Sequence, residues 1–160
     1  MTEQNEESMP LVHIYTDGSC SPNPGPGGWA AVLIMPASGH RKEISGADAE
    51  STNNRMELTA AIKGLEALTR PCRVVLHTDS RYLRDAFEAG WIEKWQRNGW
   101  RTASRKPVMN ADLWKELIHL DDKHDIQWKW VKAHADDVEN NRCDELANEA
   151  RKALVVNLER

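Results

Sequence analysis

The chain has 160 residues, 40% of them hydrophobic, and a formal net charge of −4 with a pI near 5.9. This size fits one domain with a core of its own, and the acidic balance excludes a general nucleic-acid coat, so any binding to phosphates requires a local basic patch. Three cysteines, Cys20, Cys72 and Cys143, match neither a disulfide framework nor a zinc-ligand spacing, which favours the reducing cytoplasm. The acidic start and the short apolar runs predict neither a signal peptide nor a membrane span.

Strand patterns dominate the first part of the chain. Alternating or apolar runs predict three consecutive strands, at residues 11–16, 29–35 and 40–46. A Pro/Gly-rich stretch at residues 21–28 joins the first two. Residues 1–10 are expected to form an acidic N-terminal tail, and residues 11–158 a single domain.

Helical and strand patterns then alternate. Helical spacing over residues 53–68 ends at Arg70-Pro71, and a short buried strand follows at 74–78. Helical spacing returns near residues 82–87 and 113–118, residues 126–131 are strand-like, and a last helix runs from about 139 to 158. The order predicts an α/β fold with a five-stranded mixed sheet, three antiparallel strands first, flanked by helices.

Four carboxylates stand in four separate motifs, where predicted elements end or begin: Asp17, Glu57, Asp79 and Asp144. Each has an ordinary structural alternative. Asp17-Gly18 is also a turn signal, Asn54-x-x-Glu57 is also a capping box, and Asp79 is also an N-cap. Asp144 is alternatively a surface residue of the last helix.

Convergence of these acids at one sheet is the functional alternative. Hard divalent cations such as Mg²⁺ prefer oxygen ligands and are often held by a few carboxylates together with substrate phosphates. A pair of such cations supports phosphodiester hydrolysis. The four motifs together therefore favour a metal site with Asp17 on the central strand.

The same segments, with Asn23 to Gly28 and Trp128 to His134, resemble bacterial ribonuclease H of type 1 over residues 12–153. The resemblance implies the ribonuclease H-like fold and cleavage of the RNA strand of RNA–DNA hybrids, with 5′-phosphate and 3′-hydroxyl products. It also implies magnesium or manganese as cofactor, with two ions present when substrate is bound. The family's metal-binding residues correspond to the four carboxylates named above, and its mobile catalytic histidine corresponds to His134; a loop histidine with no role is the alternative.

The resemblance also identifies candidate substrate contacts. RNA-strand contacts correspond to four residues, Cys20, Asn23, Asn53 and Asn54, and amide side chains can both donate to and accept from a 2′-hydroxyl. Contacts to a DNA-strand phosphate correspond to two more, Thr52 and Asn110. The asparagines at 53 and 54 are alternatively helix-cap residues.

Residues 91–107 carry five cations and one acid, interleaved with tryptophans. The segment resembles the family's basic protrusion, which grips the hybrid, and its candidate contacts are Lys94, Arg97 and Arg101. A solvated helix face anchored by tryptophans is the alternative, and both descriptions can hold together.

The loop around His134 departs from the family pattern Gly-His-Ala-Gly-His-Pro, because Ala133 and Asp136 replace the two glycines and Asp137 and Val138 replace the second histidine and the proline. We expect altered turnover or pH dependence with the metal site intact. Arg81 is a second departure, since several relatives have an uncharged residue there.

The sequence therefore predicts a magnesium-dependent endoribonuclease acting on RNA–DNA hybrids, monomeric, without an obligate protein partner and without a membrane. A non-catalytic hybrid-binding module is the alternative. A DNA-cutting nuclease on the same fold would have less need of the asparagines.

Overall fold

The computed structural model describes residues 9–132 and 137–159. Its elements in chain order are β1 (Leu11–Cys20), β2 (Gly25–Met35), β3 (His40–Ser51), α1 (Asn53–Glu66), β4 (Arg73–Thr78), α2 (Arg81–Glu88), α3 (Trp91–Arg97), α4 (Ala111–Lys123), β5 (Asp125–Trp130) and α5 (Val138–Leu158). The sheet order is β3-β2-β1-β4-β5, antiparallel among the first three strands and parallel from β1 to β4 to β5. This confirms the predicted five-stranded mixed sheet flanked by helices.

The first three strands are longer than their hydrophobic patterns predict. Strand β1 continues to Cys20, β2 begins at Gly25 within the Pro/Gly-rich stretch, and β3 continues to Ser51. Antiparallel pairing persists to the end of β1, where Cys20 lies opposite Gly27. Because the ladder hydrogen bonds come from the backbone, glycines pair there without any apolar alternation.

Helices cover both faces of the sheet. On one face, α1 and α4 pack against the larger core cluster, which includes Ile14, Leu58, Leu76 and the fully buried Trp114. On the other face, α5 packs against β1, β2 and β3 through a smaller cluster: Ala30, Val32, Cys143 and Ala147. This layering brings the start of α1 and the middle of α5 to β1.

The N-terminal boundary of the fold lies before Leu11. Arg73 at the start of β4 donates its backbone N–H to the Pro10 carbonyl at 2.9 Å and its Nε to the Met9 carbonyl at 3.3 Å. Residues 9 and 10, which the sequence assigned to the tail, are therefore bonded to the sheet. Within the described residues, no helix is both long and apolar enough to cross a membrane.

Candidate active site

Asp17 lies inside strand β1, where it pairs with Ala30 of β2. The alternative interpretation of Asp17-Gly18 as a tight turn is therefore wrong, because the chain continues as paired strand to Cys20. The Asp17 side chain is only 9% exposed, and its Oδ1 accepts the N–H of Gly18 at 3.0 Å. The strand thus presents a nearly buried carboxylate from the centre of the sheet.

Helix α1 is capped by Thr52. Its side-chain oxygen accepts the backbone N–H of Arg55 at 3.1 Å, so the capping box predicted between Asn54 and Glu57 is wrong. Glu57 lies one turn into the helix. Its carboxylate is therefore directed to the cleft instead of being used in the cap.

Helix α2 is capped by the residue after Asp79. Ser80 Oγ accepts the backbone N–H of Leu83 at 3.2 Å, so the prediction of Asp79 as N-cap is also wrong. Asp79 occupies the short connection between β4 and α2, which places a half-buried carboxylate at the carboxyl end of a parallel strand.

Three carboxylates converge in one cleft. Asp17, Glu57 and Asp79 each offer an oxygen that lies within 4.8 Å of the other two. The close approach between β1 and α1 depends on Gly18, since a Cβ there would lie 2.5 Å from the backbone nitrogen of Glu57. The backbones of the two elements are in direct contact, and this contact sets the separation of the first two acids.

Burial and mutual repulsion disfavour the ionised forms of these acids. Burial, the charge of Asp79 and the contact with Asp144 raise the pKa of Asp17 to about 8, against the opposing hydrogen bond from Gly18. Burial, followed by the charges of Asp17 and Asp79, raises the pKa of Glu57 well above its ordinary value. Two carboxylates held close together without a counter-charge show such shifts.

These residues fit a hard divalent cation. All the donors are carboxylate oxygens, and Glu57 Oε2 is buried without a hydrogen-bond partner among the described residues. A buried acceptor of this kind is costly unless something donates to it or coordinates it. Oxygen-only ligation suits Mg²⁺ or Mn²⁺.

Asp144 lines the same cleft from helix α5. It lies outside the close group of three and is exposed on the helix surface, and it is near enough to Asp17 to help raise the pKa of that carboxyl. Asp144 is therefore a surface residue, as the alternative interpretation held, and it also lines the cleft. All four acids predicted from the sequence line one concave surface.

The candidate RNA-strand contacts lie at the edge of this cleft. Asn53 and Asn54 are exposed and line it, and Asn23 Oδ1 accepts the backbone N–H of Asn53 at 3.2 Å. The Cys20 thiol is instead buried among three backbone carbonyls at 3.3–3.4 Å. Only the backbone of Cys20 is therefore available to contact a ribose.

Arg55 contacts both residues predicted to bind the DNA-strand phosphate, Thr52 and Asn110, and it was not itself predicted as a site residue. Its backbone N–H is capped by Thr52, and its Nη1 donates to Asn110 Oδ1 at 3.2 Å. It also pairs with Asp112 through two hydrogen bonds of 2.9 and 3.0 Å. Its place directly after Asn54 in the motif was the available signal, and only the fold reveals its distant partners.

The segment at 91–107 is anchored by its tryptophans. Trp95 packs against Trp91, Trp100 and the buried Trp114, with ring centroids 5.5–6.1 Å apart. The candidate contacts are exposed on the outer side: Lys94, Arg97 and Arg101. The tryptophans are thus structural, and the cations are available to a ligand.

The predicted catalytic histidine, His134, lies outside the described residues, as do Ala133 and Asp136. Asp137 is described, and it caps α5, since its Oδ1 accepts the N–H groups of Glu139 and Asn140 at 3.1 Å. One of the carboxylates that departs from the family pattern therefore has a structural use. Arg81, the other departure, is exposed and lines the cleft at the start of α2.

The sheet order and the convergent acids define an α/β protein with a group of carboxylates that could hold a divalent cation. The family model for RNase H matches residues 9–152. A ribonuclease H from Moorella thermoacetica is 56% identical over 146 residues, 91% of this chain and 95% of that protein. LC9-RNase H1, described as a type 1 RNase H with the type 2 active-site motif, matches with a TM-score of 0.80 and 32% identity over 91% of this chain and 74% of that chain.

A more distant structure has the same fold. LC11-RNase H1 in complex with RNA/DNA hybrid matches with a TM-score of 0.65 and 22% identity, covering 90% of this chain and 99% of that chain. The family match and the 56% identity show that the chain belongs to the ribonuclease H family, bacterial type 1. The resemblance stated from the motifs is thereby confirmed.

Proposed function

We propose that this chain is a metal-dependent endonuclease that hydrolyses the RNA strand of RNA–DNA hybrids. The observation that carries the proposal is the group of three carboxylate oxygens within 4.8 Å, from Asp17, Glu57 and Asp79. The family supports the reaction, and the solved hybrid complex of a protein with the same fold supports the substrate.

The acids would hold two Mg²⁺ ions when substrate is bound, with Mn²⁺ as a substitute. Asp17, Glu57 and Asp79 form the tight part of the site, and Asp144 extends it from α5. Two divalent cations held by these residues would supply the activation of water and the charge neutralisation that phosphodiester hydrolysis needs, with 5′-phosphate and 3′-hydroxyl ends as the products.

The protein's own contribution is charge, placement and rigidity. In the metal-free site the raised pKa of Asp17 keeps its carboxyl largely protonated at neutral pH. Asp17 would give up that proton on binding a cation, and the repulsion among the acids would then be offset. Because the ligands stand on β1, α1 and the end of β4, their separation is set by packed backbone.

Residues at the edge of the cleft would recognise the hybrid. The amides of Asn23, Asn53 and Asn54, with the backbone of Cys20, suit 2′-hydroxyl groups, which distinguish RNA from DNA. Two further residues, Thr52 and Asn110, would hold a phosphate of the DNA strand. Arg55 links these two residues, through its backbone N–H to Thr52 and its guanidinium to Asn110, and its pairing with Asp112 holds the guanidinium in place.

The basic protrusion would add affinity outside the catalytic centre. Lys94, Arg97 and Arg101 supply local positive charge on a chain that is acidic overall, which is the requirement set by the composition. We further propose that His134 assists proton handling or product release, because histidine is the side chain whose ordinary pKa lies nearest to physiological pH.

The test uses end-labelled RNA–DNA hybrid, double-stranded RNA and duplex DNA, each with Mg²⁺ and with chelator. We expect Mg²⁺-dependent cutting of the RNA in the hybrid alone. Asp17→Asn should abolish cutting and leave hybrid binding within a few-fold of wild type, while Asp85→Asn, at an exposed carboxylate of α2, should change neither. Binding without cutting by the wild-type protein would instead identify a hybrid-binding module.

A further inference from the structure

Asn148 stands one helical turn after Asp144 on α5 and reaches back to it. Its Nδ2 donates to Asp144 Oδ1 at 3.3 Å. The two side chains are at i and i+4, the spacing at which neighbours on a helix surface meet. Asn148 is half-buried, whereas Asp144 is exposed.

Asn148 is itself held by strand β1. Its Oδ1 accepts the hydroxyl of Ser19 at 2.7 Å, and a second, longer hydrogen bond of 3.4 Å comes from Arg151 Nη2. Because the amide oxygen is engaged by Ser19 and Arg151, the amide NH₂ group is turned towards Asp144. The orientation of the amide is therefore determined by its partners.

Ser19 belongs to the same side of β1 as Asp17. Side chains two residues apart on a strand share a face, and that face is the one α5 covers. Hydrogen bonds thus run from Ser19 on the central strand, through Asn148, to Asp144, which lines the same cleft as Asp17.

The backbone of α5 is fixed, but packing alone does not fix the Asp144 side chain. Cys143 and Ala147 are fully buried on either side of it, and Gly28 of β2 comes so close that a Cβ there would lie 2.0 Å from the Ala147 carbonyl oxygen. An exposed aspartate on a fixed backbone still has several rotamers. A hydrogen bond from a locked neighbour selects one of them.

We propose that Asn148 is a positioning residue that holds the Asp144 carboxylate towards Asp17 for cation binding. The inference rests on the proposed function, since it concerns the fourth carboxylate of that site. A neutral amide suits this task, because it donates one hydrogen bond to the carboxylate and leaves its negative charge uncompensated for the cation.

The test compares Asn148→Ala and Asn148→Leu with Asn157→Ala, an exposed asparagine near the far end of the same helix. Leucine keeps the volume and removes the donor, so it separates positioning from packing. Two quantities are measured: the Mg²⁺ concentration that gives half-maximal cutting of hybrid, and the response of the Asp144 carboxyl carbon to Mg²⁺ by NMR without substrate.

We expect both Asn148 variants to need about tenfold more Mg²⁺ in each measurement, as for other residues that orient a metal ligand. The KM for hybrid at saturating Mg²⁺ should stay within about twofold, because Asn148 is not one of the residues that line the cleft. Ser19→Ala should produce a smaller shift of the same kind, and combining it with Asn148→Ala should add little, since the two act through one contact.

The outcomes separate this inference from the proposed function. Hybrid cutting with unchanged Mg²⁺ dependence in both Asn148 variants would overturn the inference and leave the proposed function standing. Absence of cutting by the wild-type protein would remove the proposed function, and the NMR titration would then decide alone. A Leu variant indistinguishable from wild type beside a defective Ala variant would show packing and also overturn the inference.

Discussion

Replacing the ionisable carboxyl of Asp17 by a neutral amide should stabilise the metal-free protein at neutral pH. The folded pKa of this acid is about 8, against an ordinary value of 3.8, chiefly because of its burial and the nearby Asp79. The folded state therefore binds more protons than the unfolded state between those two values. Its stability falls as pH rises from about 4 to about 8, and is unaffected by this group below that window.

The magnitude follows from the same two values. At pH 7 the Asp17 carboxyl ionises in the unfolded state but stays largely protonated in the folded state. This difference lowers the free energy of unfolding by about 4 kcal/mol. Asparagine keeps the shape and the acceptor for the Gly18 N–H but cannot ionise. Because its amide is also desolvated, we expect Asp17→Asn to raise the free energy of unfolding at pH 7 by roughly 1–4 kcal/mol.

Urea denaturation followed by circular dichroism, with chelator present, measures the effect at pH 5, 7 and 8.5. The advantage of Asp17→Asn should be small at pH 5 and greatest at pH 8.5, and Asp85→Asn should show no such trend. Saturating Mg²⁺ should make the wild-type protein more stable than Asp17→Asn. A ligand that binds only the folded state stabilises it, by an amount that grows with the logarithm of the ligand concentration over its Kd. An advantage that is independent of pH, or none at all, would refute the reasoning.

Three other features of the protein should respond to substitution. Gly18→Ala places a Cβ 2.5 Å from the Glu57 backbone nitrogen, so we expect the rate of cutting to fall by about 100-fold. Hybrid binding, measured by fluorescence anisotropy, should be largely kept, and an unchanged cutting rate would show that β1 and α1 can separate freely. Thr52→Ala removes the cap of α1 and should cost about 1 kcal/mol in urea denaturation. Replacing Lys94 and Arg97 together by alanine should weaken hybrid binding and reduce the slope of log affinity against log salt by about 1–2, with kcat preserved; a slope equal to wild type would exclude phosphate contacts there.

The carboxylate site shows where reasoning from sequence succeeded and where it stopped. The motifs were enough to name Asp17, Glu57, Asp79 and Asp144, because acids at the ends of successive elements of one sheet have few other common uses. Their competing assignments as turn or cap residues could not be resolved locally, since Asp-Gly and Asn-x-x-Glu fit both. Pairing of β1 with β2 and the use of Thr52 and Ser80 as caps decided the question.

Strand lengths were underestimated for a physical reason. Residues 17–20 and 25–28 lack apolar alternation and are rich in turn residues, yet backbone hydrogen bonds between two neighbouring strands hold them in the sheet. A single sequence records side-chain preference, and it contains no direct signal for a partner strand that supplies the ladder.

The sequence by itself determined the five strands, four of the helices and the mixed sheet, and it named the four acids, because hydrophobic period and residue chemistry are local properties. The short helix α3 (Trp91–Arg97) was not among the predicted elements. Only the tertiary structure decided that three acids meet within 4.8 Å, that burial raises the pKa of Asp17, and that Asn148 joins Ser19 to Asp144. Those facts depend on distances between residues far apart in the chain, such as 19 and 148. Such distances arise only when β1, α1 and α5 pack together.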